Sequence, residues 1–272
     1  MTVSIDELVF ATSLLASLYA VYSGAVLWTL RDTFSADGLL SRTVYATVLE
    51  RRPFLSKAGR LLEAPGYVFL ARIGTGLAFA AVTLSLERSV WFAAFPAVLL
   101  LTDFLIEQRV VAGMSGASDM STLVNCSLVL LVLFDGRPTL QTIVVAFVAV
   151  QGVLSYCVAG LAKLAGSSWR DGSAVERIFA TDSWGDDRVR ALLSSNDALP
   201  LAIAWSVMLF EVAFVLVLVV QPAYAMGLFG VGVLFHFANS ALMGINGFQF
   251  IFPATYPSIL YVNELLRTSG LL

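Results

Sequence analysis

The stretch VQGVLSYCVAGLAKLAGSSWRDGSAV, Val150 to Val175, sets the reading of the whole chain. It starts as an apolar helix, carries one lysine near its end and breaks at Gly166 into a polar turn. Tyr156, Gly160 and Lys163 are spaced four and three apart, so they share one helix face. Lys163 is one of only two lysines in the chain, and the only one that adjoins an apolar run of membrane length. Two readings of it compete. In one, the protein holds this amine in a dry pocket. In the other, the lysine snorkels to the membrane surface, where a cation also suits the C-terminal end of the helix dipole.

Composition decides what kind of solvent the chain meets. Of its 272 residues, 58% are hydrophobic and only 13% charged, against about 25% charged in soluble domains. Most of the surface therefore does not face water, and the chain reads as an all-α integral membrane protein. The net charge of −3 comes without a basic block that would mark a nucleic-acid partner. Cys126 and Cys157 lie in different apolar segments, without metal-ligand spacing, and read as packing residues. Asp6 and Glu7 stand where a signal peptide would be basic, so the first apolar segment is expected to remain in the protein.

A bilayer crossing takes about 20 apolar residues. Candidate crossings are Leu8–Leu30, Gly66–Leu86, Val90–Ile106, Asp119–Phe134, Thr139–Ala165, Leu199–Val220, Ala223–Met243 and Phe250–Leu266. The expectation is a bundle of about eight transmembrane helices, with seven as the alternative, in one domain spanning residues 1–272. Asp119–Phe134 is short, and a full crossing there would start near Val110. Pro253 and Pro257 predict a kink in the last segment. Short helices are expected around Ala174–Ala180 and Asp187–Leu193, and either an amphipathic helix or a solvated loop around Leu39–Leu49.

Arginine and lysine set the orientation. Arg31, Arg42, Arg51, Arg52, Lys57, Arg60, Arg109, Arg170, Arg177, Arg188 and Arg190 gather on one side, leaving Arg88, Arg137 and Arg267 on the other. The richer side is expected in the cytoplasm, with both termini outside.

Charged groups within spans are expensive and usually mark a pathway or a site. The candidates are Arg72, Asp103, Glu107, Lys163, Glu211 and His236. Asp103 and Glu107 read as the interfacial end of their helix, with either able to pair with Arg72. Glu211 lies well inside an apolar span. His236 is the only histidine, so no histidine-based metal cluster is available and no metal is expected. Asn239, Ser240 and Met243 continue its helix face, either as site residues or as glue between helices. Gly227, Gly230 and Gly232 read as helix-packing positions.

Tyr156, Ala159-Gly160, Lys163-Leu164, Trp169 and Gly172 form a pattern that resembles the HTTM family, the membrane domain shared with vitamin K-dependent γ-carboxylases. The run FHFANSALMGINGF resembles the carboxylase helix at His236, Asn239, Ser240 and Phe248, and Glu211 stands where the family has an acidic residue. The resemblance implies a reduced quinone of the vitamin K or menaquinol type as cofactor. Lys163 is then the base that deprotonates it, before oxygen attacks and a glutamate carbon is carboxylated. Glu211 and His236 join Lys163 as catalytic residues, while Tyr156, Trp169, Asn239 and Ser240 bind substrate.

The chemistry suits an apolar site. A hydroquinone hydroxyl titrates near the phenolic value of about 10, and an amine kept from water favours the neutral form that accepts a proton. A long-tailed quinol would arrive laterally through membrane lipid. The sequence departs from the carboxylases in having Ala162 where they have a first of two lysines. It also stops at Leu272, without their extramembrane region that grips a peptide substrate. The leading expectation is a quinol-linked carboxylase- or epoxidase-like enzyme of a bacterial plasma membrane. The alternative is a non-enzymatic membrane factor that matures or exports a secreted peptide, similar to sporulation-delaying-protein B. A carrier or channel is a third and weaker reading.

Overall fold

The structure is a computed structural model that describes residues 3–35, 38, 40, 66–86, 89–108, 115–196 and 198–271. Every regular element among them is helical. Seven helices are long and apolar enough to cross a membrane: Ile5–Thr29, Gly66–Leu84, Val90–Glu107, Gly116–Leu133, Pro138–Ala165, Ala198–Leu218 and Pro222–Met243. The all-α integral membrane class stands, and seven candidate spans among the described residues are consistent with the expected seven or eight. The expected amphipathic segment around Leu39–Leu49 lies almost entirely outside the described residues.

Two expected boundaries move. The fourth span begins at Gly116 rather than near Val110, after an extended Ser115. Its 18 residues rise about 27 Å at 1.5 Å each, close to the hydrocarbon thickness of about 30 Å. The expected eighth crossing is broken into a turn at Phe248–Ile251, a 3-10 turn at Pro253–Thr255 and a helix at Tyr256–Thr268. Proline has no N–H to give and its ring crowds the preceding turn, so Pro253 ends one helical piece before the next begins.

The lysine helix, Pro138–Ala165, shows why the chain needs lipid. Val145, Val148, Ala149, Val153 and Tyr156 are buried, yet Phe147, Val150, Leu154, Val158 and Leu161 on its other side are exposed. Water would not tolerate such a face over so many turns, whereas acyl chains do.

The described chain forms two compact units, Ile5–Val144 and a second made of Met1–Ser4 with Val145–Leu272. In the first, Gly24 and Gly76 let helices Ile5–Thr29 and Gly66–Leu84 approach closely. A Cβ on Gly24 would lie 2.8 Å from Ile73 Cγ1, and one on Gly76 would lie 3.0 Å from the Ser17 carbonyl oxygen. Beneath this crossing sits a buried ion pair, Arg72 Nη1 to Asp103 Oδ1 at 2.6 Å. Asp103 is thus buried and paired with Arg72, one of the two pairings its position left open. Arg72 also donates from Nε to Ser23 and from Nη1 to Thr102, while Ser121 donates to Asp103. Tyr19 covers the guanidinium with its ring face, 5.4 Å away.

In the second unit the hydrophilic stretch after Ala165 folds into short helices, Ser173–Phe179 and Asp187–Ser194, close to the expected positions. Val175, Phe179 and Leu193 pack on Ala204 and Met208 of the helix Ala198–Ala213. Polar residues cap the turns: Asp186 accepts from the N–H groups of Arg188 and Val189. The Ser173 N–H donates to Asp171, which holds that carboxyl below the usual carboxylate range. The helix Ala198–Ala213 tightens to 3-10 over Phe214–Leu218, and Asn263 and Arg267 donate to the carbonyls of Val217, Val219 and Val220 at its end.

Candidate functional site

Gly160 is where the site is assembled. A Cβ there would lie 2.9 Å from the Val212 nitrogen and 2.9 Å from Glu211 Cβ, so only glycine lets the lysine helix meet the helix Ala198–Ala213 at this depth. The contact brings Lys163, one turn further on, to Glu211. Nζ donates to both carboxylate oxygens at 2.7 Å. Glu211 is well shielded, with 4% of its side chain exposed, while Lys163 keeps 22%.

The lysine is held from its other side by Trp169, whose ring centroid lies 5.4 Å from Nζ. Trp169 belongs to the single helical turn Ser167–Arg170 that follows the break at Gly166. The turn after it needs Gly172, whose φ is +84° and whose Cβ would lie 2.7 Å from the Leu201 nitrogen. The polar turn that ends the lysine helix thus folds back and lays an aromatic ring beside the amine.

Seven residues before Lys163, about 10 Å along the helix, a second polar group is built from the same face. Tyr156 Oη lies 2.6 Å from His236 Nε2 and 2.6 Å from Tyr256 Oη. Phe214 stacks on the Tyr156 ring at 3.9 Å, and Phe235, Phe248 and Phe252 surround the imidazole. His236 Nδ1 is buried and has no hydrogen-bond partner among the described residues.

Both groups open on one cavity of about 590 Å³. Tyr156, Lys163, Trp169, Glu211, His236 and Asn239 line it, amid apolar side chains such as Phe179, Ile203, Val207 and Phe248. Six of the residues singled out from the sequence meet here. Ser240 does not line this cavity: its hydroxyl donates to Asn246 Oδ1 at 2.7 Å on an exposed surface. Of the glycines in the histidine helix, Pro222–Met243, only Gly232 is a packing position. Gly227 and Gly230 have open space where a Cβ would be.

The sequence reading missed Tyr256. Its one signal was a phenol set between Pro253 and Pro257, and nothing in the sequence shows how a broken helix aims it.

The geometry coincides with a family match. Residues 136–263 match the HTTM domain family. The match starts just before the lysine helix and ends at Asn263, so it contains every residue of the cavity and none of the Arg72–Asp103 cluster. Neither a curated protein nor a solved structure matches the chain. Seven apolar helices of membrane length among the described residues, three of them within this match, make this an integral membrane protein.

Proposed function

We propose that this is a membrane enzyme that binds a reduced quinone of the menaquinol or vitamin K type and takes up its hydroxyl proton with the Lys163–Glu211 pair. The observation that carries this reading is an ion pair set in the wall of an apolar cavity. The cavity has the size of small-molecule pockets, about 300–1,000 Å³, and their usual make-up of apolar walls with a few convergent polar groups. A flat aromatic ring suits the phenylalanine-rich wall, and the Asn239 amide suits a polar ring substituent.

A bound quinol supplies a phenol-type hydroxyl and a ring that reacts with oxygen once that hydroxyl is deprotonated. Lys163 and Glu211 share a proton along a 2.7 Å hydrogen bond. Moving it from Nζ to the carboxylate leaves a neutral amine and a neutral acid, with no net charge created in the apolar wall. The amine would then be able to accept a hydroxyl proton from a ligand held in the cavity. Trp169 restrains the ammonium, while Asn239 and His236 orient the ligand. Entry is lateral, from membrane lipid. The resemblance to the carboxylases extends the reading to oxygen-dependent epoxidation and to carboxylation of a peptide partner.

By the arginine and lysine asymmetry, the Arg31–Ala64 side faces the cytoplasm of a bacterial plasma membrane. Both termini then lie outside if the broken Phe248–Thr268 segment also crosses.

The test compares wild type with Lys163→Arg in lipid nanodiscs supplied with reduced menaquinone, reading quinol oxidation under oxygen. Arginine keeps the charge and the carboxylate partner but cannot release its proton, so the rate should fall by about 10²–10⁴-fold. Full activity in Lys163→Arg would remove the base assignment, and no quinol oxidation by wild type would move the peptide-maturation factor ahead.

A further inference from the structure

Resting on the quinol reading above, we infer that the cavity opens into the bilayer at Ala238, and that the ligand sits with its ring inside and its isoprenoid tail passing out over this residue.

Exposure locates the mouth. The side chains that line the cavity are buried or half-buried, except for Ala238 and Leu242 of the histidine helix, which are exposed. Residues that border a cavity and are exposed as well mark the edge of its opening. These two are four apart and lie one above the other on a single helix face. Leu234, one turn earlier on that face, is 70% exposed and does not line the cavity. Leu234, Ala238 and Leu242 thus form one row, whose first member meets lipid alone and whose other two also border the cavity. Val231 and Phe237 beside the row are exposed, so the surface around the mouth is apolar.

Packing explains the gap. The helix Ala198–Ala213 and the histidine helix are joined by way of Gln221, and close to that joint the 3-10 turn Phe214–Leu218 packs on the histidine helix. The rings of Phe210 and Phe235 still meet, 5.5 Å apart. Further from the joint, Ile203 and Val207 of one helix and Ala238 and Leu242 of the other line the cavity. Residue 238 carries only a methyl group between two leucines of its row, so the edge is lowest there. It lies five residues before the helix ends at Met243, about 7–8 Å along the axis. Lys163 is two residues from the end of its own helix, and one intervening helix running back puts both ends on the same side. The mouth therefore sits at lipid depth, close to the lysine pair.

Polar groups inside and an apolar edge select a ligand with a polar ring and an apolar chain. A cavity of about 590 Å³ encloses a molecule of drug size, so a chain of many isoprene units must continue outside it. Leaving over Ala238 keeps those units among leucines and acyl chains, whereas leaving past the lysine end would put them in water, at a cost for every apolar group exposed. Ala238 then governs which tail is tolerated and takes no part in the proton transfer.

The test reads labelling and rate separately, on the full chain in nanodiscs. A menaquinone analogue with a diazirine in its tail, irradiated with wild type, should label residues 234–242, and excess unlabelled menaquinone should remove the label. Labelling only elsewhere overturns the inference. So does label on these residues that menaquinone does not displace, since ordinary acyl chains then occupy the mouth. For rate, the ratio of long-tailed menaquinol oxidation to that of tail-less menadiol should fall at least about tenfold in Ala238→Trp, and less in Ala238→Leu. Leu234→Trp, on the same row but off the cavity, should keep the wild-type ratio. An unchanged ratio in Ala238→Trp overturns the portal, as does an equal fall in Leu234→Trp. If wild type oxidises neither quinol, the base assignment fails and the labelling alone decides the portal.

Discussion

Each half of the molecule holds one cation–carboxylate pair inside an apolar span, and the two pairs are finished differently. Arg72 and Asp103 have 1% and 4% of their side chains exposed, and hydroxyls of Ser23, Thr102 and Ser121 take up further bonding capacity on both partners. Lys163 and Glu211 have no such hydroxyls among the described residues: the ammonium meets one carboxylate and one indole ring, at the wall of a cavity. A pair whose partners are all supplied by the protein is a structural joint. A pair left with spare bonding capacity beside a cavity is available to a ligand. The residue types follow the same division, since guanidinium offers several fixed donors and stays charged, whereas an amine can give up its proton.

Exchanging the cations breaks this comparison most directly. Lys163→Arg should lose activity by about 10²–10⁴-fold while the unfolding temperature in detergent changes little, because the carboxylate keeps a partner. Lys163→Ala is a poorer probe than it looks from sequence, since it strands the shielded Glu211 carboxylate. Unchanged turnover in Lys163→Arg would make the second pair as structural as the first.

The next effect belongs to the sealed pair. Arg72→Leu leaves Asp103 buried and alone, which should destabilise by about 3–5 kcal/mol, seen as loss of the monodisperse peak after heating. Arg72→Leu combined with Asp103→Leu should recover most of that loss, since apolar replacement of a whole buried pair is often neutral. A double variant as unstable as the single would show that the surrounding hydroxyls, rather than the charges, are the joint.

Gly160→Ala should cost about 1–3 kcal/mol by overpacking and also spread Lys163 from Glu211, lowering activity and stability together. Equal activity at wild-type stability would mean that the two helices do not need this close approach. The smallest effect is expected from Arg72→Lys. The ammonium can still meet Asp103, but Ser23 or Thr102 loses its donor, at about 0.5–1.5 kcal/mol per bond. Turnover should be unaffected, the mirror image of Lys163→Arg.

Much of this was legible in the sequence because lipid imposes a length and a face. Seven of the eight candidate crossings follow from the length of their apolar runs, and the shared face of Tyr156, Gly160 and Lys163 and the face of His236 and Asn239 follow from helical periodicity. The pairing of Arg72 with Asp103 was readable as one option of two, but its burial was not, since position near a helix end does not say what packs over it. Tyr256 and Ser240 mark the other limit. Periodicity fails where proline and glycine break the helix, and there a phenol turns inward while a serine on an apparently polar stripe finds Asn246 instead.

The sealed pair also constrains how the protein enters the membrane. A helix carrying Arg72 alone is disfavoured in the bilayer by about 2.5–3.5 kcal/mol at its centre, and the helix carrying Asp103 has the matching problem. Only residues 85–89 separate Gly66–Leu84 from Val90–Glu107. The two are thus suited to partition from the insertion machinery as one hairpin, neutralised before it meets lipid. A truncated nascent chain ending before Asp103 should stall outside the bilayer, whereas one that includes it should integrate.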